Sequence, residues 1–507
     1  MVRILQYQDV FKRVLPDNHM QGNVITGNES CSLPVDNVSY QIVTQADFIR
    51  EFYPSGHRIN DSSWYQDEIK KIKDEETGEE HYCFVPVERV SVSMQRVIVE
   101  KRLTHLCGNP IQITYSGLKT SKRQKDLIYN LSQGWENKNM NTAFFYLARS
   151  VYITGNGAFC GFINNKKFGW RVFSFLDGDT LYRKRDFVTG ELEVFGRRFK
   201  QYDPSGNESG EYMNVWDNQK IYTYRYAGIN SKRKKIKTDQ LFGLDGWELI
   251  KSGLHGFDFV PVAYSYDPNG ACWSFSQDNI EKLEVSLSRL REVNKSRAFP
   301  TLVVTANSVK IVRGNLNKPV SVIKINDPAG NAKILDGGET SQSFTLEIEK
   351  LLKFILMGSF IVLPPEERSG DESGASIKIK YSPSIEIAKT DANFFNQPVD
   401  DMLRIFKHGY GIEKGNVSDY DDLDVNASIK VYIHQNEAEY IEMLYKAVQA
   451  KFLSIESAAT KSGLGTNDEY KRLENQAETE LDAKKVEEVY DNENKKKVNN
   501  PNTEENE

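Results

Sequence analysis

Two stretches with helical apolar spacing enclose a short β-like run, and few folds permit that order. From Ser276 to Asn294, Ile280, Leu283, Leu287 and Leu290 recur at steps of three, four and three, the seam of a helix that packs along its length. At ~1.5 Å per residue such a helix is about 28 Å long. From Thr340 to Met357 the pattern returns through Phe344, Ile348, Leu351 and Ile355. Between the two lie TLVVT, VKIV, VSVIKI and AKIL, separated by ANS, RGNLNKP and NDPAGN, which predicts a small β module. Helices flanking a compact insertion form either a stalk that carries it at the far end or a pair inside one core with a surface flap. Periodicity alone leaves both open. Ser276, Gln277 and Asp278 suit the N-terminus of the first helix.

The rest of the chain reads as α+β. From Asp36 to Asp267 short β-rich segments alternate with turns, and one helical stretch interrupts them at Lys122 to Glu136 and Asn141 to Tyr152. In the latter, Phe144, Phe145, Leu147, Ala148 and Val151 make an apolar face. Strands are predicted at Tyr152–Ile153, Ala158–Ile163, Trp170–Phe175, Thr180–Arg183, Leu192–Phe199 and Lys220–Tyr226. GNG at Gly155, DGD at Asp177, TG at Thr189 and DPSG at Asp203 read as hairpin punctuation. The basic run Ser231–Lys237 is a solvated hairpin tip or an electrostatic contact.

After the second bracket helix comes FIVLPPEERSGDESGAS, a proline- and glycine-rich acidic loop. A helical region from Ser384 to Lys407 follows, and Pro398 inside it predicts a kink. Asn426 to His434 reads as a strand. Helices are predicted at Glu437–Phe452, with Ile441, Leu444 and Val448 on one face, at Ile455–Ser462 and at Asp468–Tyr490. The final residues are too polar to order themselves.

Composition excludes several classes. A chain of 507 residues is too long for one ordinary core. No apolar run approaches the ~20 residues of a membrane-spanning helix, and the first residues predict no secretory leader. The formal charge of -6 disfavours tight binding to nucleic acid, whose affinity comes from displaced counterions. The five cysteines have neither disulfide-framework nor zinc-cage spacing. His81 and Cys83 make an H-x-C, read as a strand with alternating faces. Asp419, Asp421, Asp422 and Asp424 lack the glycine and closing glutamate of a calcium loop, and read as a solvated acidic turn. Gly155, Gly157 and Gly161 are not spaced as a phosphate loop. No constellation has the spacing that enzyme chemistry needs, so no metal, cofactor or catalytic residue is expected.

Four segments in order, Ala143–Ile163, Phe259–Ser296, Ser373–Phe395 and Phe452–Leu464, resemble the portal proteins of tailed double-stranded DNA phages, particularly the type from siphophages of Gram-positive hosts. The resemblance covers about Leu127 to Tyr490. In that family a buried strand leads into the first stem helix, an S-G-x-A-L-K segment follows the tunnel loop, and a helix hands over to a β-meander. Ser376 and Ile377 depart from the S-G-x-A-L-K pattern. The resemblance favours the stalk and implies a multi-domain fold. Residues 1–35 would form an N-terminal arm, 36–270 and 379–433 the wing, 271–298 and 339–360 the stem helices, 299–338 the clip, 361–378 the tunnel loop, 434–490 the crown and 491–507 a tail.

It also implies a non-enzymatic ring, usually a dodecamer, at one capsid vertex of the virion, assembled in the host cytoplasm. The ring would pass double-stranded DNA during packaging and ejection. It would meet the terminase motor, then head-completion adaptors, and also the major capsid and scaffolding proteins. Stem packing falls to Ile280, Leu283, Leu287, Leu290, Phe344, Ile348, Leu351 and Ile355, between subunits or within one. The channel loop would present Glu366, Glu367, Arg368, Asp371 and Glu372, and the clip Lys310, Arg313, Lys318 and Lys324. A head-tail adaptor or another ring-forming virion protein is the alternative, followed by a nucleic-acid-processing enzyme.

Overall fold

The computed structural model describes residues 9, 11–14, 40–73, 80–117, 121–227, 246–298, 302–305, 309–312, 322–325, 331–334, 340–363, 378–433, 437–453 and 458. The chain divides into two units, residues 1–363 with 383–432, and residues 364–382 with 433–507.

In the first unit β1 (Phe11–Val14) pairs antiparallel with β2 (Tyr40–Val43). A capping box of Thr44 and Asp47 opens α1 (Gln45–Phe52). The hairpin of β3 (Glu68–Lys73) and β4 (Glu80–Val85) follows, and His81 and Cys83 fall on its second strand. Next come α2 (Met94–Cys107) and β5 (Gln112–Tyr115). Both α1 and α2 stand where the sequence reads as β-rich. The run Val97-Ile98-Val99 is β-branched and favours strands, but Ile98, Val99, Leu103 and Leu106 are all buried, and burial on several sides outweighs local preference.

α3 (Lys122–Asn137) opens on a second capping box, Ser121 with Gln124. α4 (Met140–Thr154) takes in Tyr152 and Ile153, which were expected to start a strand. The stop comes at Gly155, whose φ of +78° needs a residue without Cβ and whose N–H donates to the Val151 carbonyl at 2.9 Å. GNG therefore ends a helix and does not turn a hairpin.

Two sheets follow: β6 (Asn156–Asn164), β7 (Lys167–Phe173), β8 (Thr180–Arg185), β9 (Leu192–Tyr202), β10 (Glu208–Trp216), β11 (Lys220–Tyr226), β12 (Trp247–Leu254) and β13 (Val262–Tyr266). β8 to β12 form an antiparallel meander, and β6 pairs between β13 and β7. Thr189-Gly190 and Asp203–Gly206 turn hairpins as expected, with φ of +72° and +83° at the glycines. Phe173, Phe195, Trp216 and Tyr264 fill the space between the sheets. The basic run at 231–237 lies outside the described residues.

α5 (Gln277–Ala298) leads to β14 (Leu302–Thr305), β15 (Val309–Val312), β16 (Val322–Ile325) and β17 (Asn331–Ile334). β14 pairs with β17 and β15 with β16, all antiparallel, so one hairpin nests inside another. α6 (Thr340–Gly358) follows. α7 (Ser382–Lys414) contains the buried Pro398 and places Phe395 and Phe406 at the centre of the main core, edge-on to Phe144, Tyr152, Trp135 and Phe168.

α8 (Val417–Asp421) and β18 (Val425–Ser428), which pairs with β5, close the unit. The strand expected to reach His434 stops at Ser428. Beyond it the backbone bonds to the end of α2: the Tyr432 N–H donates to the His105 carbonyl at 2.7 Å, and the Tyr432 carbonyl lies 2.9 Å from His105 Nδ1. The acidic cluster is not merely solvated. Arg123 pairs with Asp419 at 2.6 Å, and His408 bonds Asp421 at 2.8 Å.

In the second unit α9 (Glu437–Gln449) buries Leu444 and half-buries Val448, while Ile441 is exposed. The helices expected at 455–462 and 468–490 lie outside the described residues, apart from the helical Ala458.

Candidate functional site

The two bracket helices run antiparallel, tied at two levels. The Ser276 and Ser359 hydroxyls bond at 3.0 Å near the base, and Ser286 Oγ donates to Glu347 Oε1 at 2.8 Å farther along. Ser276 thus ties the helices together where an N-cap was expected. Between these ties Ile280, Leu283 and Ile355 are buried in the unit's own core, and Leu287, Ile348 and Leu351 pack against it. Leu290 and Phe344, farther out, are half-buried. In a single chain six of these eight residues serve contacts within the subunit.

The opposite face of α5 carries an extended strap, Val87–Val92, that sequence reasoning missed. The N–H groups of Glu88, Val90 and Val92 donate to Glu292 Oε1 (2.8 Å), Ser288 Oγ (2.9 Å) and Glu284 Oε1 (2.8 Å). The match is geometric: two residues of extended chain advance about 6.6 Å and four residues of helix about 6 Å. Every second amide therefore meets every fourth side chain. The available signal was the pairing of V-E-R-V-S-V with Glu284, Ser288 and Glu292 at i, i+4 and i+8. Glu284 also bonds His57 Nδ1 at 2.6 Å, with both side chains 2% exposed, and Glu88 pairs with Arg291 and Lys295.

Hydrogen bonds hold the base of the helix pair to the body. Glu51 accepts two bonds from Arg13 and one from the indole of Trp273, just before α5. Gln95 of α2 donates to Gln277 at 3.0 Å. Within the body, Asp391 of α7 accepts from Arg102 Nε and Nη2 (2.9 and 2.5 Å) and from Tyr152 Oη (2.7 Å). Burial works against the Arg102 charge, but Asp391 more than offsets it and raises the guanidinium's pKa. Burial and the Asp391 charge push the Tyr152 hydroxyl well up.

Along α6, Leu346, Phe354 and Met357 are exposed, together with Lys350 and Lys353. Near its end a groove of about 510 Å³ is lined by Glu349, Leu352, Lys353, Leu356, Met357, Phe360, Ile361, Val362 and Pro383.

A second cavity, of about 310 Å³, lies between the β8–β9 hairpin and α7 and is lined among others by Arg185, Glu191, Asp258, Asp401 and Arg404. Burial lifts the Asp401 carboxyl to about 6, with Arg185 and Arg404 opposing. From its ordinary value of 3.8 up to about 6, the folded protein keeps a proton that the unfolded chain has released. This group therefore makes stability fall as pH rises through that window. Asp401→Asn is expected to stabilise the protein at pH ~8 by on the order of 2 kcal/mol, with the gain vanishing below pH ~4. Thermal melting at the two pH values checks it.

Lys310 and Lys324 hold positions directly paired in register on β15 and β16. Arg313 and Lys318, and the loop residues Glu366, Glu367, Arg368, Asp371 and Glu372, lie outside the described residues. Pro398 sits on the buried side of α7. Among the described residues no group of three or more His, Cys, Asp or Glu could hold a metal ion, and no helix is long and apolar enough to cross a membrane.

Residues 58–485 match the family described as "Phage portal protein, SPP1 Gp6-like". No curated protein matches the chain. Among solved structures, a chain from one described as "Neck of empty GTA particle computed with C6 symmetry" is similar at 9% identity, over 73% of this chain and 90% of that one, with a TM-score of 0.38.

Proposed function

Since the chain belongs to the SPP1 Gp6-like family of phage portal proteins, a structural and non-enzymatic family of ring-forming virion components, we propose that its ring lines the path of double-stranded DNA at one capsid vertex during packaging, retention and ejection. The observation that carries the proposal is the family match, which runs through the whole helix–β–helix bracket.

In this reading α5 and α6 are the stem, residues 299–338 the clip, 361–378 the tunnel loop, 434–490 the crown, and 36–270 with 379–433 the wing. The ring is a dodecamer. Glu366, Glu367, Arg368, Asp371 and Glu372 face the duplex, and Pro398 bends the helix that follows. With -6 per copy, the wall repels phosphate on average, which lets DNA slide.

The clip offers Lys310, Arg313, Lys318 and Lys324 first to the terminase motor and then to a head-completion adaptor. Lys310 and Lys324 share a register position, and like charges placed opposite one another are costly until an anionic group meets them. An acidic partner surface would supply it. The major capsid and scaffolding proteins contact the outside of the ring, which assembles in the host cytoplasm.

Electron microscopy of the purified protein tests this reading. A turbine-shaped ring with a narrow stalk and a duplex-wide channel is expected. A flat ring without a stalk, or a small compact oligomer, would overturn it.

A further inference from the structure

We propose that a socket beside the root of α5 binds an extended segment of the pattern Asp-x-Phe-x-Arg, and that β1 with the residues just before it is the chain's own detachable occupant. The socket lies within one copy and does not depend on the ring.

Three alternate side chains of the segment face inward. Asp9 accepts from the Tyr264 hydroxyl and from Asn156 Nδ2 (3.4 Å), and pairs with Arg183 (3.1 Å). Phe11 is 2% exposed; its ring lies edge-on to Phe48, with centroids 5.2 Å apart, and against Tyr266. Its seat exists because two glycines lack a side chain: a Cβ at Gly155 would collide with the Phe11 ring, and one at Gly270 with Phe48 and Phe11. Arg13 makes paired bonds to Glu51 at 2.7 and 2.9 Å. A donor-lined pocket, an apolar seat and a carboxylate thus follow one another at the spacing of extended chain, while β2 supplies the main-chain partner. A sheet edge takes a peptide in this way: backbone bonds hold it, and alternate side chains select it.

The occupant is built to separate. β1 has four residues and one neighbouring strand among the described residues. Residues 15–39 stand between it and β2, where about two to five would join a hairpin, so the strand can leave without moving β2. Ordering such a segment costs conformational entropy comparable to the gain from one buried phenylalanine and two charged anchors. β1, β2 and α1 also precede residues 58–485, which match the family, whereas Asn156, Arg183, Tyr264 and Trp273 lie within them.

Occupancy is felt at the helix pair. Glu51 Oε2 accepts from both Arg13 and the indole of Trp273, and Trp273 is fully buried, stacked on Phe52 just before α5. An empty socket strips Glu51 of its charged donor and loosens the residue from which α5 starts.

The test uses the full-length chain carrying Phe11→Asp with Arg13→Ala, and as probe a fluorescently labelled synthetic peptide of residues 5–16. Circular dichroism checks that the variant folds. Fluorescence anisotropy should show saturable binding of the peptide to the variant, at least tenfold tighter than that of a control peptide carrying Phe11→Ala and Arg13→Ala. Wild type, whose own strand competes, should bind the peptide at least tenfold more weakly than the variant does. Hydrogen exchange in the first turns of α5 should quicken at least tenfold in the variant and slow again when the peptide is added, with the β8–β12 meander unchanged.

A folded variant that binds both peptides alike, or whose α5 exchange ignores the peptide, would overturn the inference. Should the double variant misfold, Phe11→Ala takes its place under the same criteria. If that chain also fails to fold, the strand is an inseparable part of the core and the inference is equally lost.

Discussion

Arg102→Ala is expected to lower the stability of the first unit by about 3–5 kcal/mol, the cost of leaving a buried charge without its partner. Asp391 would keep its bond from Tyr152 but lose two charged donors in a site where α2, α4 and α7 meet. Water has poor access there: the Asp391 side chain is 9% exposed and that of Arg102 15%. The shift in urea midpoint measures the effect. Arg102→Met combined with Asp391→Asn should restore much of the loss, because removing both charges also removes the need to pair them. A loss below about 1 kcal/mol for Arg102→Ala would mean that the pair is solvated like a surface bridge.

Glu284→Ala should remove about 2–3 kcal/mol, because it strips partners from two groups at once. The Val92 N–H and His57 Nδ1 both bond Glu284 Oε1, and His57 is itself buried. The loss should be local in its first expression. Hydrogen exchange at Val90 and Val92 should quicken by at least tenfold while amides in α7 keep their protection. Glu284→Gln retains an acceptor for Val92 and should show a smaller change. Equal exchange in wild type and Glu284→Ala would show that the strap is held by something other than its bonds to α5.

Long-period helices were the legible part of this fold. α3, α4, α5, α6 and α7 announce themselves because each has one apolar face repeated over several turns, and turns such as Thr189-Gly190 announce themselves through glycine. α2 did not: its apolar residues point to several sides, so its periodicity vanishes, and its β-branched run suggests the wrong element. The strand after Val425 was overextended for a related reason, since Ile429, Val431 and Ile433 alternate like a strand while the backbone beyond Ser428 bonds to the end of α2.

The candidate site was less legible still. The seam residues could be listed from spacing, but spacing does not say whether Ile280, Leu283 and Ile355 meet a neighbour or their own body. The strap was invisible because its bonds run from backbone amides to side chains about two hundred positions away, as from Val92 to Glu284.

The nested pairing of β14 with β17 around β15 and β16 has one more consequence. Because Leu302 stands opposite Ile334, the chain enters and leaves this insert through adjacent strands, and everything inside is topologically independent of the rods below. Such an insert behaves as a cassette, whose changes need not disturb the alignment of the helices that carry it.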